Sequence, residues 1–219
     1  MNFFNSFLSI PDLVSKALIL LIALPIHELC HAWTAEYFGD DTPRMHGRLS
    51  FNPLVHLDVI GSLLIIVSRF GWAKPVPINP YQLGKRSPSA VMWVSLAGPV
   101  SNLVLAILTA IPLRLGLFDS LAASTSPVLA AVPNILLGFM GINLVLFLFN
   151  LIPLAPLDGE KILGYFFPPS WGNALDRIRP YSPMILLLVV FVLPYFGFPV
   201  LSWIIGPPLN ALSRLLLGG

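Results

Sequence analysis

Long apolar runs constrain this chain more than any other feature. Leu13 to Phe38, Ser87 to Leu113 and Val128 to Leu151 each carry few charges. A helix crosses the hydrocarbon core of a bilayer with roughly 20 mostly apolar residues, and each run is long enough. A further apolar stretch, Ser182 to Leu217, is interrupted by Pro194, Pro199 and Pro207–Pro208 and reads as one more span or two poorly formed ones. Composition agrees: 10% of residues are charged and 56% are hydrophobic, with a mean hydropathy of +0.84. A soluble domain carries about 25% charged residues, so this chain has too few to cover a water-facing surface. The expected fold class is an all-α polytopic membrane protein with about 4–6 transmembrane helices. Residues 1–219 read as a single membrane-embedded domain, with a core at about 13–167 and a hydrophobic tail at 182–217.

Net charge, at +2, is too small to point to nucleic acid. The single cysteine, Cys30, excludes an internal disulfide framework. No cleavable signal peptide is read, because the first ten residues lack a basic start and the first long run carries His27 and Glu28. Met1 to Ile10 reads as a short interfacial helix, and Pro11–Asp12 as a helix opening. Pro25 lies inside the first span and predicts a kink there. Leu57 to Phe70 is too short to cross at about 1.5 Å per residue and reads as a re-entrant segment. Gly71 to Arg86, with its "GWAKPVPINP", reads as irregular backbone, which at membrane depth needs shielding by protein or water. Pro156 to Phe167 reads as a short helix, and Trp171 to Pro180 as a loop.

Charge placement orients this layout. Arg44, Arg48, Arg69, Lys74, Lys85, Arg86, Lys161, Arg177 and Arg179 fall on one side of the three clear spans, whereas the loop from Arg114 to Pro127 has Arg114 alone. The positive-inside rule makes the first side cytoplasmic, provided that Leu57–Phe70 returns to the side it left.

The chemistry begins at His27-Glu28-Leu29-Cys30-His31, an HExxH motif. Positions i and i+4 share one helix face, so two imidazoles there can bind one zinc, with Glu28 next to the water-filled position as general base. Ionisable groups inside a span are expensive and usually functional, which outweighs the plainer reading of a solvated helix end. A hydrolytic zinc commonly takes three protein ligands. His46, His56, Asp58, Asp158 and Glu160 are the candidates for the third. Asp158 is preferred because Pro153, Pro156 and Gly159 break the chain around it and can turn a side chain inward. An Asp capping the following helix is the plainer alternative. His56 could face the site or merely cap the Leu57 segment. Asn102, one turn beyond Gly98, could bond across to the catalytic pair. Trp72 with Lys74 reads as an interfacial anchor more readily than as a substrate clamp.

Several ordered motifs, "HELCHAW", "FNPLVHLDVIGSLL", "GWAKPVPINP", "SLAGPVSN" and "NLIPLAPLDG", resemble the site-2 proteases. These are intramembrane zinc metalloproteases, and the likeness is to their small prokaryotic members without a PDZ domain. The likeness covers about Leu20 to Leu163. It implies a three-helix catalytic core, one zinc per chain held by His27, His31 and Asp158, and Glu28 as base on a zinc-activated water. It also implies that Asn150 and Pro156 shape the substrate site. Val59, Glu160 and Lys161 depart from the family pattern without touching a proposed ligand. The implied substrate is a transmembrane protein cut in or near its membrane segment. The implied setting is the prokaryotic cytoplasmic membrane, with the site nearer the cytoplasmic side and a regulatory membrane partner or a second copy left open. A membrane zinc transporter and a non-catalytic membrane scaffold of the same fold are the rivals. The first needs ligands spread along a path, and the second has no use for an intact Glu28.

Overall fold

The computed structural model describes residues 10–68 and 71–218. The expected interfacial helix at Met1–Ile10 lies almost wholly outside them. Among the described residues, five helices are long and apolar enough to cross a membrane. Three of them form the core: α1 (Ile10–Tyr37), α4 (Ala90–Arg114) and α5 (Pro127–Asn150). Between α1 and α4 stand α2 (Val59–Ser68) and α3 (Pro80–Arg86). After α5 come α6 (Asp158–Phe166) and α7 (Pro169–Ile178). The fourth span, Leu175–Tyr195, starts at the end of α7 and continues through α8 (Ser182–Leu187). The fifth is α9 (Val200–Leu217). The tail thus contributes to two helices long and apolar enough to cross, where the sequence left one or two open.

Proline shapes both ends of this architecture. Pro25 has no N–H to give to the preceding turn. Instead of a sharp kink, α1 contains a π turn at Ile19–Ala23, in which the Leu24 N–H bonds to the Ile19 carbonyl. The same device recurs at Leu188–Val192, where the Leu193 N–H bonds to the Leu188 carbonyl just before Pro194. A π turn of this kind takes up a break in the usual hydrogen-bond ladder.

Helices α4 and α5 pack on each other, with α1 against both. Small residues allow the approach: Ala106 and Ala110 of α4 meet Met140 and Leu144 of α5, and Leu209, Leu212 and Leu216 of α9 pack over them. Without a hydrophobic drive between helices in lipid, such close van der Waals contact is what associates them. The outer faces remain apolar and exposed, as at Val104, Leu108 and Ile111.

Helix α2 spans only ten residues, and the chain then returns beside it. Leu57 bridges Ala73 in antiparallel sense, and the Lys74 N–H donates to the His56 carbonyl at 2.8 Å. The segment thus goes back to where it began, the condition the charge argument required. Gly61 and Gly71 permit this, since a Cβ on Gly61 would lie 2.9 Å from the Trp72 nitrogen and one on Gly71 2.6 Å from an Ile65 side-chain carbon.

Two expectations need correction. Gly71–Arg86 is not irregular throughout: its second half is α3, started by Asn79, whose Oδ1 accepts from the Tyr81 and Gln82 N–H groups. Pro80 at the first helical position loses nothing by lacking an N–H. Trp171–Pro180 is mostly helix, not loop. Pro169 opens α7, and Asp176 with Arg179 at i,i+3 supports its end at 3.2 Å.

Candidate metal centre

The HExxH motif lies on the second half of α1, where His27, Glu28 and His31 are all buried. A helix places His27 and His31 one turn apart on one face, and their Nε2 atoms are 3.0 Å apart. Across from them α6 begins at Asp158. Its Oδ2 lies 3.2 Å from His27 Nε2 and 3.3 Å from His31 Nε2. The break after α5 that turns Asp158 inward contains a cis Ala155–Pro156 bond. Gly159 lies against the backbone of Leu151 and Ile152, where no Cβ would fit.

The protonation of both imidazoles follows from their partners. The Phe139 carbonyl can only accept, and it takes a hydrogen bond from Asn143 Nδ2 at 2.9 Å. Asn143 Oδ1 therefore faces Asn102 Nδ2, at 3.0 Å. Asn102 Oδ1 then faces His27 Nδ1 at 2.6 Å, so Nδ1 carries the proton and Nε2 presents a lone pair. His31 Nδ1 donates to the Val94 carbonyl at 2.7 Å, with the same result. Two imidazole lone pairs and a carboxylate oxygen thus converge in a buried space. Such a set is repulsive without a cation and suits one well. Tetrahedral zinc with ligands at about 2.0–2.1 Å sets them roughly 3.3 Å apart, close to the three separations observed. The residues present fit the metal.

The other third-ligand candidates are engaged elsewhere. His46 is exposed and bonds to the Thr42 carbonyl. Asp58 Oδ1 accepts from the Gly61 N–H at 2.8 Å. Glu160 accepts from Arg179 Nε at 2.7 Å. His56 is fully buried away from the cavity, with Nε2 on the Ser50 carbonyl at 2.8 Å. It helps to hold the loop that Arg48 also braces from Lys74.

A cavity of about 240 Å³ opens onto the cluster, lined by Glu28, Trp72, Asn150, Pro156, Asp158 and Lys161 among others. Asn150 Nδ2 donates back to the Leu146 carbonyl at 3.0 Å, part-buried at the end of α5. Trp72 is in the cavity wall rather than only an outer anchor. Glu28 Oε2 accepts from the Val76 N–H at 3.1 Å. Gly98 of α4 lies flat against the imidazoles: a Cβ there would fall on the His31 ring and 2.6 Å from His27 Nε2. Sequence reasoning missed Asn143, Val94 and Val76. Asn143 left a signal, being a polar side chain inside a span; the other two act through backbone atoms, which leave none.

A bundle of membrane-crossing helices that buries a His–His–Asp donor set beside an HExxH glutamate defines a class, the membrane metallopeptidases. The chain belongs to peptidase family M50, the site-2 proteases, whose family model matches residues 15–193. It is 43% identical to a Bacillus subtilis protein named "Putative zinc metalloprotease YwhC" over 88% of this chain and 84% of that one. It is 31% identical to "Putative zinc metalloprotease Rip2" of Mycolicibacterium smegmatis, over 84% of this chain and 70% of that one. The protein of that name in Mycobacterium tuberculosis is 30% identical, with the same coverage. No solved structure matches the chain. The protein is thus a metalloendopeptidase with an all-α polytopic membrane fold.

Proposed function

We propose that this peptidase cuts membrane-protein substrates in or next to their transmembrane segments, at a zinc site held by His27, His31 and Asp158 within the bilayer. The observation that carries the reading is the convergence of those donors at 3.0–3.3 Å on and beside a membrane-crossing helix. When bound there, zinc supplies Lewis acidity to a scissile carbonyl and to a water.

The protein groups divide the remaining work. A Glu28 carboxylate oxygen takes the proton of the attacking water and returns it to the leaving amine. Asn102 and the Val94 carbonyl keep both imidazoles in the tautomer that binds. Asn150 and Pro156, in the cavity wall, shape the place where an unwound stretch of substrate lies. A helical substrate hides its carbonyls in hydrogen bonds, so unwinding precedes attack. The basic side of the molecule faces the cytoplasm, in the prokaryotic cell membrane, and water reaches the cavity from there.

Three measurements on purified protein test this together: zinc content, cleavage of model transmembrane peptides, and zinc flux in liposomes. The parent is expected to hold one zinc and cleave, Glu28→Gln to keep zinc and be silent, and Asp158→Ala to lose or weaken zinc. Flux without cleavage would replace the reading by a transporter. Against that outcome, no second group of three metal-binding side chains occurs among the described residues.

A further inference from the structure

The segment that returns beside α2 forms a strap over the cavity, with Trp72, Ala73, Pro75, Val76 and Ile78 in its wall. Val76 stands between Pro75 and Pro77. Proline has no backbone N–H, so the Val76 amide is the single donor of that triplet. It points at Glu28 Oε2, and this is the one hydrogen bond to Glu28 seen among the described residues.

The strap is fixed on both sides of this donor. Before it, the Lys74 N–H is held by the His56 carbonyl at 2.8 Å. After it, the Asn79 N–H is held by Asp40 Oδ2 at 2.6 Å. Asp40 is itself fully buried, and its Oδ1 accepts from the Thr42 N–H at 3.0 Å. The amide therefore sits on a clamped stretch of backbone, not on a free loop. A glutamate side chain otherwise has wide rotamer freedom, and a base works only when held within reach of its proton.

We infer that the Val76 backbone amide is a positioning group for Glu28: it holds one carboxylate oxygen so that the other faces the reacting water. Pro75 and Pro77 ensure that no neighbouring amide competes for the carboxylate. This rests on the reading of Glu28 as the base.

The test compares Val76→Pro, which deletes the N–H, with Val76→Ala, which keeps it. A displacement of about 1 Å in a catalytic group can lower a rate roughly 100-fold. Val76→Pro is expected to lower kcat about 10- to 100-fold, with KM within about twofold and one zinc retained. Val76→Ala is expected to restore kcat to within about threefold of the parent. A strap that merely shapes the cavity would give the reverse, a raised KM with kcat intact, and that result overturns the inference. An independent readout uses protein labelled with 15N-valine in micelles. The Val76 amide proton is expected to shift upfield in Glu28→Ala, and an unmoved resonance overturns the contact. If even the parent cleaves nothing, the protease reading fails and the amide shift alone decides the contact.

Discussion

Asn102→Ala is the substitution whose consequences the structure specifies most fully. Asn102 and Asn143 are both fully buried. Together they form a one-way chain from the Phe139 carbonyl to His27 Nδ1. Removing Asn102 leaves two groups without partners, Asn143 Oδ1 and the His27 Nδ1–H. A buried unsatisfied group costs about 1–3 kcal/mol, so a clear loss of thermal stability is expected. The zinc effect has a separate cause. With no acceptor at Nδ1, the imidazole no longer favours the tautomer with a free Nε2. Loss of such an outer partner typically weakens metal binding about 10- to 100-fold, or roughly 1.4–2.8 kcal/mol. The double variant Asn102→Leu with Asn143→Leu separates the two effects. Replacing both partners by apolar groups of similar shape can be nearly neutral for stability, yet His27 remains without its acceptor. Chelator competition would measure zinc affinity, and thermal unfolding in detergent would measure stability. Stability recovered in the double variant with zinc binding still weak is the expected pattern. Zinc affinity within twofold of the parent in both variants would refute the tautomer argument.

Other perturbations follow from the same geometry. Gly98→Ala puts a methyl group into the imidazole pair, so zinc content should fall well below one per chain; a fully loaded variant would show that α4 can retreat. Gly61→Ala forces α2 away from Trp72 and is expected to raise KM by severalfold with zinc retained, checked by steady-state cleavage. His56→Gln should leave kcat near the parent value while lowering the melting temperature, because the side chain braces only Ser50, outside the cavity, and the backbone carbonyl that holds the strap is unchanged; a large drop in kcat would return it to the site. Arg179→Ala takes from the Glu160 carboxylate a cation that is itself largely exposed, and is expected to destabilise the fold by no more than about 1 kcal/mol, which Glu160→Gln in the same chain should partly reverse.

Legibility in the sequence varied with the kind of signal. The three core helices were plain because lipid demands long apolar runs, and the HExxH spacing matched one helix face. That Asp158 turns in beside the two histidines was legible from the prolines and glycine around it. The two tail spans were harder to read, since Pro199 sits between runs that resemble one interrupted stretch. Helix α7 was overlooked because its polar residues resemble a loop, although Pro169 stands where a helix begins. Asn79 likewise marked α3 as a cap, but the prolines beside it drew attention to irregular backbone. His56 illustrates the converse: in sequence it could face the site or cap the Leu57 segment, while its position is decided by Ser50 and the returning strap. The strap's role at Glu28 was out of reach, because it depends on an amide proton that any residue except proline would supply.

The π turn at Ile19–Ala23 has a consequence for how the first span is read by its neighbours. One extra residue held in the wide turn sets all later side chains back by about 100° from where an unbroken α-helix would place them. Before the turn, α1 addresses α5, with Ser15 Oγ on the Ile135 carbonyl at 3.2 Å. After it, α1 addresses α4, through His27 and His31. The span is thus two rotors in different phase joined by a clutch. A single-residue deletion within that clutch would let the turn close as ordinary α-helix with both faces still in phase, whereas the same deletion in the α-helix on either side would swing one face about 100° away from its partner. The angular phase between the buried Lys16 and His27, set by the π turn, is therefore as much a part of the site as the spacing within HExxH.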